Sequence, residues 1–179
     1  MADLERPGYL VDEKVDGHRC ICSRVGDVVT LTSREGNDMT DRAPGVVAAL
    51  LALPCDSFVI DAELVTYDDA RVARLPLMLH DLPRHLVAFD LLVADGYDVR
   101  EMRLSARKRL LSVIVGNYTE QIRTSKWRHS GLKGMALYQA IVADGGEGVI
   151  CKLAEGQYRS GRSCEWLKYK PRYGVQQAA

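Results

Sequence analysis

The sequence predicts an α+β fold, and three observations carry that expectation. Strand-like stretches outnumber helical ones. The helical stretches are interspersed without regular strand–helix–strand alternation, which disfavours a doubly wound sheet. Gly26-Asp27 and Asp95-Gly96 fall beside apolar runs, where tight turns reverse the chain. At 179 residues, 47% apolar and 27% charged, the chain has the size and composition of one soluble globular domain.

The elements follow in order. Residues 9–15 form an apolar-rich strand, and 19–25 and 28–33 alternate loosely about Gly26-Asp27 as a hairpin. Pro44 opens a run of good helix formers, so 44–53 is a helix. Residues 57–67 are extended, with Asp61 and Glu63 on one face and Ile60, Ala62 and Leu64 on the other. The segment 68–84 holds two prolines and is irregular, with His80 and His85 read as loop residues. The nearly continuous apolar run 85–93 suits a buried strand. Ser105 is placed to cap a helix over 106–115, and Ser130 a second over 131–143 that Gly145-Gly146 stops. Residues 147–153 and 164–169 are the last strands.

Composition narrows the function. No apolar run approaches the ~18–20 residues of a membrane span. Met1 to Arg6 lacks a basic region followed by an apolar core, so a cytosolic protein is expected. The five cysteines, at 20, 22, 55, 151 and 164, are odd in number and form no C-x-x-C pair, which argues against zinc. Net charge is zero, yet residues 1–104 carry 11 Lys+Arg against 19 Asp+Glu, and residues 105–179 carry 13 against 5. That asymmetry allows a basic surface for a polyanion, and equally two solvated faces. P-loop, dinucleotide-binding, serine-hydrolase and zinc-protease signatures are all absent.

The chemistry-bearing residues are more specific. Lys14-Val15-Asp16-Gly17, followed by Arg19, places a lysine at the end of a strand. Alone it also reads as a strand running into a turn. A lysine attacks phosphorus only when neutral, and its ordinary pKa of about 10.4 must be lowered by nearby positive charge or desolvation. Lys168 and Lys170, two apart on a strand, face the same way and suit a phosphate, or else snorkel from a surface strand beside Trp166 and Tyr169. Asp61, Glu63 and Glu147 can hold Mg²⁺ or a ribose hydroxyl, or are edge charges. Phe89 can stack on a base or pack in the core.

Taken together and in order, these residues resemble the nucleotidyltransferase domain of ATP-dependent DNA ligases, most of all the adenylation domain of bacterial end-joining ligases. The likeness runs from about Tyr9 to Pro171. Lys14-Val15-Asp16-Gly17-His18-Arg19 is similar to the nucleophile motif, and Ser33-Arg34-Glu35-Gly36 to the motif whose arginine meets the nick phosphate. Asp61-Ala62-Glu63-Leu64 resembles the ribose-binding motif, and Phe89-Asp90-Leu91-Leu92 the adenine-stacking one. Gly146-Glu147-Gly148-Val149-Ile150 resembles the metal-binding motif, and Trp166-Leu167-Lys168-Tyr169-Lys170 the phosphate-binding one. Tyr158-Arg159-Ser160-Gly161-Arg162 is similar to the family's linker between the last two.

The resemblance implies an ATP-grasp-like domain of antiparallel sheets flanked by helices, with the nucleotide between the sheets. It implies ATP as AMP donor and Mg²⁺ or Mn²⁺ at Glu147 and Glu63. It also implies catalysis by Lys14, Lys168 and Lys170, and nicked double-stranded DNA on Arg19 and Arg34 in a bacterial cytosol or nucleoid. The nucleotide would meet Asp12, Glu13, Arg19, Arg34, Glu63, Phe89, Lys168 and Lys170. The family usually carries glutamate two residues before the nucleophile to help read adenine; here Asp12 stands there, with Glu13 beside it. The family continues into an OB-fold domain, whereas nine residues follow Lys170. The expectation is therefore an adenylation domain over 1–172 and a short tail over 173–179 without the OB-fold domain, the chain being a domain excised from a longer protein, a partner of an OB-fold domain or protein acting in trans, or a degenerate relative. An RNA ligase, a capping-type guanylyltransferase and a non-catalytic nick- or nucleotide-binding module are the alternatives.

Overall fold

The computed structural model describes residues 2–116, 119–161 and 165–171. It is α+β, with two antiparallel sheets meeting at the 14–17 link. After a short helix α1 (Ala2–Glu5), β1 (Tyr9–Glu13) enters the first sheet. β2 (His18–Val25) and β3 (Val28–Ser33) form the expected hairpin, and Gly26 adopts φ +59 at the first central position of its two-residue turn. α2 (Pro44–Leu51) follows, then β4 (Ser57–Val65) and β5 (His85–Ala94). Asp95 and Gly96, at φ +50 and +78, turn β5 into the two-residue β6 (Tyr97–Asp98). The chain continues through α3 (Leu104–Val115), β7 (Ile122–Thr124), β8 (Trp127–His129), α4 (Leu132–Ala143), β9 (Val149–Leu153) and β10 (Trp166–Tyr169).

The first sheet runs β10-β9-β1-β8 and the second β3-β2-β4-β5-β6, with β7 joining β5 in parallel. Alternation decides which faces are buried. On β2 and β4, Cys20, Cys22, Phe58, Ile60, Ala62 and Leu64 point to one side, where α2 and α3 add Val46, Leu50, Leu111 and Ile114 to form the main core. On the first sheet, Val11, Val149 and Cys151 pack outward against Leu4 and Ile141. Gly134 allows that contact, because a β-carbon there would come within 2.6 Å of Val11. On the opposite faces, Leu10 packs with Leu104 and Ala154, and Val65 with Ala73 and Val87, in two smaller clusters beside polar groups.

The structure corrects some local expectations. α3 begins at Leu104, and Ser105 caps nothing. The first amides of α3 donate instead to loop carbonyls, Leu104 N–H to Gly156 and Ser105 N–H to Ala154, at 2.9 and 3.0 Å. Ser130 does not cap α4 either. Gly131, at φ +88, holds that place, and its N–H donates to Leu4 O. His85 is not a loop residue; it opens β5, nearly buried, with Nδ1 bonded to Glu120 O at 2.8 Å. β7 and β8 are too short for periodicity to announce. Arg162, Cys164 and the 173–179 tail lie outside the described residues.

Candidate active site

Lys14 stands where the chain leaves the first sheet for the second. Its own N–H donates to Gly148 O at 2.9 Å. Gly17 explains the glycine of the motif: a β-carbon there would lie 2.4 Å from Leu64 O, so only glycine lets the link cross β4 this closely. Asp16 accepts from Leu75 N–H at 3.0 Å and ties the 75–79 turn to the same link.

Lys14 Nζ donates to Glu147 Oε2, and Lys170 Nζ lies 2.6 Å from the other oxygen, Oε1. The Lys14 and Glu147 side chains are 16% and 18% exposed, so the pair is shielded yet reachable. Burial alone would raise the Glu147 carboxyl, but the two ammonium groups outweigh it and hold the acid below its ordinary value. Gly148, at φ +128, delivers Glu147 to this place; its α-carbon is so close to Tyr169 O that a side chain has no room. Lys168 is exposed on β10 opposite Ile150, two residues from Lys170.

Glu63 faces the same space from β4. Desolvation pushes its carboxyl up to about 7, against the pull of Lys14 and Arg19 and with repulsion from Asp61 and Glu147. The partly buried Phe89 packs edge-on against Trp166 at 6.1 Å. Arg19 Cζ lies 6.0 and 5.9 Å from these two ring centres. The structure thus brings Lys14, Arg19, Glu63, Phe89, Glu147 and Lys170 around one space between the sheets. Arg34 stands apart, exposed on the turn after β3.

Asp12 and Glu13 are engaged elsewhere. Asp12 is fully buried; its Oδ2 meets Lys152 at 2.5 Å and Lys108 at 2.8 Å, and its Oδ1 accepts from Ser125 Oγ at 2.6 Å. Burial alone would raise its carboxyl, but the two lysines hold it below its ordinary value. Lys108 is held down by desolvation and by Lys152, against the pull of Asp12. Asp12 therefore meets the cleft through Lys152, whose Nζ lies 4.6 Å from the Phe89 ring centre and 4.3 Å from that of Trp166. Glu13 is gripped by both terminal nitrogens of Arg123, at 2.8 and 2.9 Å. It lines a cleft of about 780 Å³ together with Lys14, Tyr67, Arg71, Arg123 and Glu147.

Sequence reasoning missed Lys108, Lys152 and Arg123 as parts of this region. Lys152 left a signal, a lone charge inside the apolar stretch Val149 to Ala154. Lys108 and Arg123 left none, since each is explained only by a carboxylate about a hundred residues away.

The model of the ATP dependent DNA ligase domain matches residues 1–170. A probable DNA ligase of Streptomyces avermitilis is 32% identical over 180 residues, covering 90% of this chain and 35% of that protein. One from a Mycobacterium species, strain KMS, is 32% identical over 183 residues, 94% of this chain and 34% of its own length. The chain thus spans about a third of the curated relatives it matches. Among solved structures, the ligase domain of M. tuberculosis LigD superposes with a TM-score of 0.78 at 27% identity, over 90% of this chain and 53% of that one. A mycobacterial DNA ligase D complexed with ATP and MES gives 0.77 at 26%, over 90% and 54%. A family match spanning residues 1–170, on a fold shared with solved ligase domains, establishes that this chain belongs to the ATP-dependent DNA ligase domain family.

Proposed function

We propose that the chain is the adenylation unit of a DNA ligase, with Lys14 as the residue that carries AMP. The observation that supports this most is the Lys14–Glu147–Lys170 cluster at the junction of the sheets. An arriving triphosphate competes for both ammonium groups. Lys168 and Lys170 draw in the α-phosphate, Phe89 carries the adenine and Glu63 the ribose. The neutral Lys14 amine attacks the α-phosphorus in line. The N–P bond forms, the bond to the bridging oxygen breaks, pyrophosphate leaves, and the amine's surplus proton passes to solvent.

Glu147 and Glu63 interact electrostatically, and among the described residues no cluster of three or more metal-ligating side chains occurs. This donor set fits Mg²⁺ or Mn²⁺ held by one or two carboxylates and completed by phosphates and water. Such an ion supplies neutralisation of phosphate charge. Arg19 meets the nucleotide beside Phe89, Arg19 and Arg34 serve the phosphates of nicked double-stranded DNA, and an OB-fold domain or protein completes sealing. The adenylation unit covers 1–172. No helix among the described residues is long and apolar enough to cross a membrane, consistent with work on DNA in the bacterial cytosol.

The test is incubation with α-labelled ATP and Mg²⁺, read by intact mass. One AMP is gained, the adduct is lost in Lys14→Ala, and GTP does not replace ATP. Absence of any adduct at high pH with Mn²⁺ would overturn the proposal.

A further inference from the structure

Asp61 on β4 lies directly across from Asp90 on β5, and both are fully buried. Two neighbouring buried carboxylates each need a counter-ion. Arg107 serves Asp90 with paired bonds of 2.8 and 2.9 Å. Arg19 serves Asp61, its Nε and Nη2 donating to Oδ1 and Oδ2 at 2.9 and 2.5 Å. The second pair has a third member. Tyr158 Oη donates to Asp61 Oδ2 at 2.8 Å and accepts from Arg19 Nη2 at 3.1 Å, closing a ring of hydrogen bonds.

Tyr158 is built for that place. Its N–H donates to Arg100 O at 2.9 Å, its ring stands edge-on to Trp166 at 6.5 Å, and Arg107 Cζ lies 6.0 Å from its centre. Burial first, and the Asp61 charge next, push its phenol well above the usual range, so the hydroxyl stays protonated and can donate. A planar arginine–carboxylate fork leaves the guanidinium free to rock with its partner. A donor from a different segment, the stretch between β9 and β10, removes that freedom.

We propose that Tyr158 is a positioning residue for Arg19, fixing the guanidinium beside the Phe89–Trp166 wall so that it meets the nucleotide already oriented. The functional half rests on the nucleotide reading given above; the geometric half does not.

The test is Tyr158→Phe, which keeps the ring and removes the hydroxyl. Losing one charge-assisted bond should raise the ATP concentration for half-maximal self-adenylation about fivefold to tenfold, with the maximal rate within about twofold and little change in Tm. In an Arg19→Lys background the same change should have no further effect; an additive effect overturns the proposal. Independently of any nucleotide, phenylglyoxal labelling of Arg19, read by peptide mass, should be several-fold faster in Tyr158→Phe and unchanged at other arginines. Unchanged labelling of Arg19 overturns the proposal, and so does faster labelling with an unaltered ATP dependence. If the unmodified chain forms no AMP adduct, the nucleotide reading falls, and labelling alone decides whether Tyr158 holds Arg19.

Discussion

Asp12→Asn is the most informative perturbation of the scaffold beneath the cleft. The substitution keeps shape and removes the single negative charge between two ammonium groups at 2.5 and 2.8 Å. Asp12, Lys108 and Lys152 are all buried, so water cannot replace the lost counter-charge. Breaking a buried pair from one side costs about 3–5 kcal/mol, enough to lower Tm by roughly 10 °C in a domain of this size. The pH dependence identifies the cause. Lys108 is already below its ordinary value because of burial, with Asp12 supporting it; without Asp12 it falls further. Between that lowered value and the unfolded one of about 10.4, the unfolded chain binds the extra proton, so stability rises with pH. The gap between Asp12→Asn and the unmodified chain should therefore narrow in urea titrations from pH 7 to pH 10. Adding Lys108→Met should recover part of the loss at pH 7. A loss below about 1 kcal/mol at pH 7, or one constant with pH, would refute the reasoning.

Glu147→Gln removes the carboxylate shared by Lys14 and Lys170, and should slow lysyl-AMP formation by about a hundredfold or more while moving Tm by under ~2 °C, measured by labelled-ATP kinetics and calorimetry. Glu63 has a folded-state value of about 7, so the folded state binds more protons than the unfolded one above its ordinary 4.5, and stability falls as pH rises through that window. Glu63→Gln should consequently stabilise the nucleotide-free chain at pH 8 by about 2–3 kcal/mol and have little effect at pH 4.5. Gly148→Ala drives a methyl toward Tyr169 O, and should cost about 2–3 kcal/mol in denaturant titrations and abolish the AMP adduct by displacing Glu147.

The hairpin at Gly26-Asp27, α2 behind Pro44 and the buried β5 were legible because each rests on local chemistry, a turn dipeptide, a helix-opening proline or an apolar run. The Asp61/Glu63 face of β4 was legible for the same reason, since alternation alone sets it. The caps of α3 and α4 were not, because their amides find distant carbonyls in place of the nearby serines. The site divides likewise. Lys14, Glu147 and the Lys168/Lys170 pair stood out by residue type and order. The engagement of Asp12 and Glu13 did not, because Lys152 and Arg123 reach them through strand pairing and packing across more than a hundred residues.

Strand β1 lies between β8 and β9, which are 115 residues or more further along the chain. During synthesis the second sheet can close on itself early, from segments that pair with near neighbours. Among the described residues, the strand leading to Lys14, the proposed nucleophile, has no strand neighbour until most of the polypeptide has emerged from the ribosome. The reactivity proposed for Lys14 is on this view an end product of folding, and a nascent chain arrested before residue 149 would carry a well-formed half and an inert lysine.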